Sequence, residues 1–203
     1  MQNEVKKREI EYLWHFTKIE NINSILANGL VPRAILETQN SAIGFNDQYR
    51  LDGQKGANCL SIGHPNYKMF YSLRCQNPDQ VWVVVAIKSE ILWAKDCAFC
   101  YENAASNSVT AIPLQQRKGL NAFRGMFDPA EGKPDRATLK LPDDCPTNPQ
   151  AEILAFGVIE PQYIAGVITP TKAIEIDLKS KYPSFKFLYH RAHYSARLDY
   201  GHW

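Results

Sequence analysis

Glu152 stands in Gln150-Ala151-Glu152-Ile153-Leu154-Ala155-Phe156, a carboxylate at the mouth of an apolar run, after a long polar segment and before a second apolar run over residues 158–169. A strand entered at that point fixes an acid while the loop before it shapes a pocket, which suits a carboxylate acting on something in a cleft. The expected chemistry is that of the catalytic acid of a nucleotide-using transferase. His15 lies near the end of a run in which Ile10, Tyr12, Trp14 and Phe16 alternate with Glu11, Leu13 and His15. That period of two predicts a strand over 10–16, with His15 on the opposite face from Trp14 and Phe16. Arg50 falls in a turn-rich stretch over 31–57, containing Pro32, Asn46-Asp47, Gly53 and Gly56, which reads as a loop or lid. A guanidinium there suits bidentate contact with phosphate. Taken singly, a surface acid, a satisfied strand histidine and a loop ion pair are the better descriptions of the three residues.

The elements that must position them are legible around these points. Thr17-Lys18-Ile19-Glu20 has the spacing of a capping box, predicting a helix whose apolar face is Ile19, Ile22, Ile25 and Leu26 and whose stop is Gly29. His15 would then sit beside the amide-rich start of that helix, where anionic groups bind readily. Residues 58–62 read as a short strand and 66–74 as a short helix carrying Tyr67, Phe70 and Tyr71. Residues 81–87 are apolar throughout, the mark of a central strand covered on both faces. Near the end, 171–180 reads as a helix, and Phe185, Phe187 and Tyr189 alternate with basic residues as an edge strand.

A chain of 203 residues, 45% hydrophobic, can fill the core of one domain spanning 1–203. The polar start and the lack of any apolar run near the roughly 20 residues of a membrane span point to a soluble, cytoplasmic protein with no membrane partner. Five cysteines, at 59, 75, 97, 100 and 145, read as reduced thiols rather than a disulfide framework. Cys97 and Cys100 could form half a zinc site, but no second ligand pair follows, so no metal is expected and the pair reads as half-buried cysteines at a strand end. The net charge of +2 is small, yet two stretches are locally basic: 115–140, and 179–197 with five basic residues and no acid. Each is an ordinary solvated surface or a phosphate-binding one. Between 101 and 140 the chain looks irregular. Phe123, Arg124, Met126 and Phe127 there stack on single-stranded nucleic acid, or else Phe123, Met126 and Phe127 simply bury one edge of a helix.

A resemblance rests on several pieces taken in order: Trp14-His15-Phe16-Thr17, then Ile22-Asn23-Ser24-Ile25-Leu26-Ala27-Asn28-Gly29-Leu30, Arg50 ahead of the 59–62 strand, Asn103-Ala104-Ala105, and Gln150-Ala151-Glu152-Ile153-Leu154. Over residues 12–168 the chain resembles the DarT family of bacterial DNA ADP-ribosyltransferases, toxins of toxin–antitoxin pairs that use NAD to modify a base in single-stranded DNA. The resemblance implies an α+β, PARP/diphtheria-toxin-like ADP-ribosyltransferase fold, a split mixed sheet with NAD held in the cleft between its halves. It implies Glu152 and Arg50 as catalytic residues, His15, Thr17, Asn23, Arg50 and Tyr71 as NAD-binding, and no metal. Acceptor DNA is expected at Asn103, Phe123, Arg124 and Met126. The thymine-modifying branch carries a glycine pair and a His-Asp-Tyr-Val-Pro-Phe-Tyr-Phe-like strand after its arginine. Here Gly56-Ala57-Asn58-Cys59-Leu60-Ser61-Ile62-Gly63-His64 stands in that place. That departure points to the guanine-modifying branch, whose antitoxin is a NADAR-type hydrolase rather than a macrodomain.

Overall fold

The computed structural model of the chain describes residues 1–39 and 51–203. The apolar run at 81–87 forms β3 (Trp82–Lys88), in which every residue from Trp82 to Ile87 is buried. β1 (Tyr12–Lys18) pairs antiparallel with β3 along its whole length, from Tyr12 opposite Lys88 to Lys18 opposite Trp82. On its other side β1 meets β2 (Ala57–Ile62) only at Leu13↔Ile62 and Trp14↔Ser61. The sheet therefore parts between β1 and β2 just where His15 begins. β2 goes on to pair with β5 (Glu152–Phe156), and β5 with β4 (Cys97–Cys100). Beyond β3 lie β6 (Ile164–Thr169) and the edge strand β7 (Phe187–Tyr189), giving the order β4-β5-β2-β1-β3-β6-β7. All neighbours are antiparallel except β6 and β7, so this is the expected α+β fold with a split, mixed sheet.

Helices cover the sheet: α1 (Gln2–Lys7), α2 (Ile22–Asn28), α3 (Arg33–Thr38), α4 (Tyr67–Gln76), α5 (Ile91–Ala94), α6 (Asn107–Thr110), α7 (Gly119–Gly125) and α8 (Lys172–Lys181). As the pattern predicts, α2 buries Ile22, Ile25 and Leu26. It ends at Gly29 with φ of +81°, where a Cβ would stand 2.1 Å from the Ile159 carbonyl oxygen. The capping box does not form. Thr17 stays in β1, because β3 continues opposite it, and its hydroxyl accepts from Asn21 Nδ2 at 3.0 Å. Glu20 lies in a 3-10 turn over Ile19–Asn21 and accepts from Gln80 instead. The stretch read as a loop holds α3, and the irregular 101–140 region holds α6 and α7.

Many residues of the basic stretches find their partners within the chain. Arg136 donates to the Cys145 carbonyl at 2.8 Å and the Pro142 carbonyl at 2.9 Å. Arg197 donates to the carbonyls of Pro146 and Thr147 at 2.8 and 2.9 Å and pairs with Asp199, which also accepts from the Trp203 indole. Lys179 and Lys181 pair with Glu175 and Asp177 on α8. Cys97 and Cys100 are fully buried rather than half-buried, and three positions apart on a strand they face opposite sides of the sheet. Burial pushes their thiols up to about 12 and about 11. Among the described residues no group of three or more His, Cys, Asp and Glu is arranged to hold a metal, and no helix is long and apolar enough to cross a membrane.

Candidate active site

The parting of β1 from β2 opens a cleft. Its walls are the Trp14–Thr17 end of β1, the 57–61 backbone of β2, the inner face of α2 and α3 with the Gly29–Val31 link, and the Asn103–Ala105 turn beside Glu152. His15 spans the gap: its Nδ1 lies 2.9 Å from the Cys59 carbonyl oxygen on β2. A carbonyl only accepts, so Nδ1 carries a proton and donates to it, and Nε2 is the ring nitrogen left for another partner.

Glu152 opens β5 and is 7% exposed. Its Oε2 accepts from the Ala104 amide at 2.9 Å. That amide is aimed by a short ordered turn, in which Asn103 Oδ1 accepts from Ala105 N at 2.9 Å and Ser106 N donates to the Asn103 carbonyl at 3.0 Å. Glu102, within the same turn, accepts from the hydroxyls of Ser106 and Ser108. On the other side, the Asn148 side chain accepts from Gln150 N at 2.9 Å and turns the chain into β5. An acid held by a strand at one end and by a loop amide at the other stays where the fold sets it, in the cleft that His15 also lines.

The structure brings His15, Thr17, Asn103 and Glu152 to this one cleft. Arg50 lies outside the described residues. Asn23 and Tyr71 are elsewhere: Asn23 Oδ1 accepts from the Tyr182 hydroxyl at 3.3 Å, while its neighbours Ser24 and Ile25 line the cleft. Tyr71 is 63% exposed on α4, whose cleft-facing residue is Met69, two positions and about 200° away around the helix. The acceptor residues expected beyond Asn103 are also displaced. Phe123 and Met126 are 0% and 1% exposed, and Phe123 packs edge-on against Phe99 and Phe127. Arg124 turns outward and pairs with Glu4 at 2.8 Å. The reading of Phe123, Met126 and Phe127 as a buried helical edge is the correct one, and neither they nor Arg124 lines the cleft.

Sequence reasoning missed Arg33, the only Lys or Arg among the described residues lining the cleft. It heads α3 and donates to Glu37 at 2.6 Å, a pair that Lys55 also joins. The four-residue spacing of Arg33 and Glu37 was the available signal for a helix there.

A family model described as "ssDNA thymidine ADP-ribosyltransferase, DarT" matches residues 14–196. The chain belongs to the DarT family. Solved structures of that family share its fold. Thermosipho africanus DarTG in complex with ADP-ribose superposes with a TM-score of 0.64 at 18% identity, over 91% of this chain and 51% of that one. Thermus sp. 2.9 DarT in complex with ADP-ribosylated ssDNA gives 0.58 at 13% identity, covering 92% and 97%. The same Thermus protein in complex with NAD+ gives 0.55 at 12% identity, covering 92% and 98%. This DarT-family chain thus spans about half the length of the Thermosipho chain and nearly all of the Thermus one. No curated protein matches it.

Proposed function

We propose that this chain transfers ADP-ribose from NAD to a base of single-stranded DNA, releasing nicotinamide, as the toxin of a toxin–antitoxin pair. The observation that carries the reading is the buried Glu152 carboxylate in the cleft that His15 also lines, in a DarT-family fold. The donor set suits NAD, with an imidazole nitrogen and a hydroxyl for ribose and the Arg33 guanidinium for diphosphate; Arg50 is the further arginine we assign to NAD. Thermus DarT has been solved in complex with NAD+ and with ADP-ribosylated ssDNA.

Glu152 sets its negative charge beside the ribose carbon where positive charge grows as the nicotinamide–ribose bond breaks, favouring the transition state over neutral NAD. Nicotinamide leaves with the bonding electrons, and a base nitrogen of the acceptor forms the new bond to that carbon. Glu152 then takes the proton the nitrogen loses. His15 Nε2 accepts from a ribose hydroxyl, and Thr17 lies two residues on along the same strand.

Guanine is the acceptor base we propose, because residues 56–64 depart from the thymine-modifying pattern; a NADAR-type hydrolase is then the matching antitoxin. Thymidine is the second reading, favoured by the description of the matching family model. The protein is to be incubated with NAD and four short single strands, each lacking one base, and adducts read by mass spectrometry. An ADP-ribose adduct missing only from the guanine-free strand is expected. An adduct missing only from the thymine-free strand selects the second reading. No adduct on any strand, or an unchanged yield with Glu152→Ala, overturns the proposal, and label found on RNA or polypeptide instead reassigns the acceptor.

A further inference from the structure

Arg117 closes the 3-10 turn Leu114–Arg117 with a side chain only 6% exposed. Its Nη1 lies 3.9 Å from Cys100 Sγ, its Nε is buried with no hydrogen-bond partner, and it forms no salt bridge among the described residues. Among the described residues the other buried arginine, Arg197, has Asp199 against it. Burying a cation without a compensating charge is costly, so the charge that faces Arg117 needs identifying. Cys100 is not that charge. Burial pushes its thiol up to about 11, against the pull of Arg117 and with further upward push from Glu152 and Asp52, so it stays neutral.

The ladder supplies the answer. Cys100 stands directly opposite Glu152 between β4 and β5, and such cross-strand pairs have Cβ atoms about 5 Å apart on one face of the sheet. Arg117 therefore brings its charge within one side chain of the Glu152 carboxylate. Among the described residues the other ionisable groups around Glu152 are Asp52, His15, Cys59 and Arg33, which line the cleft, and Glu102 in the turn beside Ala104; Arg33 is paired with Glu37. Asp52 and Glu102 oppose ionisation of Glu152, and His15 is turned to the Cys59 carbonyl, to which its Nδ1 donates. Lys118, the next residue, is held by Asp96.

We propose that Arg117 is a positioning residue for the transfer reaction: its buried guanidinium, set behind Cys100, keeps Glu152 ionised and fixed in the cleft. The inference rests on the reading of Glu152 as the ribose-facing carboxylate. Removing the cation removes a neighbour that favours the charged form, so the carboxylate must bind its proton at higher pH.

The test is the pH profile of kcat/KM for nicotinamide release from NAD in the wild type, Arg117→Met, Arg117→Lys and Glu152→Ala. Arg117→Met is expected to move the acid limb up by about one pH unit, and Arg117→Lys to return it most of the way. An acid limb that stays in place in folded Arg117→Met overturns the inference. Glu152→Ala at the wild-type rate would instead overturn the reading of Glu152 itself. A thermal-melting cycle serves where Arg117→Met is inactive. Glu152→Gln is expected to lower Tm more in the Arg117 protein, where it strands a buried cation, than in the Arg117→Met protein. Equal shifts in the two backgrounds contradict the proposal.

Discussion

Residues 101–106 and residues 119–127 both lie between β4 and β5 and both carry polar and aromatic side chains, yet the fold uses them in opposite ways. The first stretch makes a turn tied by Asn103 and Glu102 that hands an amide to Glu152 and exposes Asn103 and Ala105 to the cleft. The second forms α7 and its exit, burying Phe123, Met126 and Phe127 against Phe99 and sending Arg124 out to Glu4. Spacing separates the two. Phe123, Met126 and Phe127 recur at i, i+3 and i+4, the period of one helical face, whereas the 101–106 stretch has no such period. Aromatic residues interleaved with arginine are a nucleic-acid signal only when the rings stay in solvent.

The largest expected effect tests the buried half of this contrast. Phe123→Ala should cost about 3–5 kcal/mol of stability in denaturant unfolding, while the folded remainder keeps its base preference. A changed preference in a chain of full stability would make the ring an acceptor contact after all.

The long connection running into β5 is tied down by Arg197, whose partner Asp199 is the next group to perturb. Burial pushes the Asp199 carboxyl up, but the hydrogen bonds and charge of Arg197, with the Trp203 indole, outweigh it and leave it lowered. A carboxyl lowered in the folded chain contributes stability that is complete above its unfolded pKa, about 3.9, and is lost as pH falls through the folded value. Asp199→Asn should therefore weaken the protein at neutral pH and flatten its loss of stability below about pH 4, measured by unfolding across pH. An unchanged acid slope contradicts the pairing.

A smaller effect is expected in the cleft-facing turn. Asn103→Ala removes the bond to Ala105 N, worth about 1 kcal/mol, and should slow nicotinamide release about fivefold with little change in Tm. Smallest of all, Arg124→Ala breaks an exposed ion pair and should cost under about 1 kcal/mol, with no change in the modified base.

Much of the fold was legible because its strongest signals are continuous. An unbroken apolar run could only be an inner strand, Gly29 could only end α2, and Thr171 caps α8 by accepting from Ile174 N. Thr17 was misread because a local cap competes with a strand ladder, and the seven paired positions of β1 on β3 outweigh one capping bond. His15, Thr17, Asn103 and Glu152 were legible as cleft residues through motif order. Asn23 and Tyr71 were not, because each is one or two positions from a residue that faces the cleft, and a helix turns by about 100° per residue. Arg33 was hidden by reading the whole 31–57 stretch as turn, and Arg117 by reading a locally basic stretch as surface.

The most direct measurement sets Glu152→Gln beside Arg124→Ala in one assay of ADP-ribose adduct formation on single-stranded DNA. Glu152→Gln should lower the rate by about 10²–10³-fold, the loss expected when transition-state charge stabilisation is removed, while Arg124→Ala keeps the wild-type rate and base. A Glu152→Gln protein that modifies DNA normally, or an Arg124→Ala protein that modifies a different base, would move the site from the sheet's split to the surface of α7.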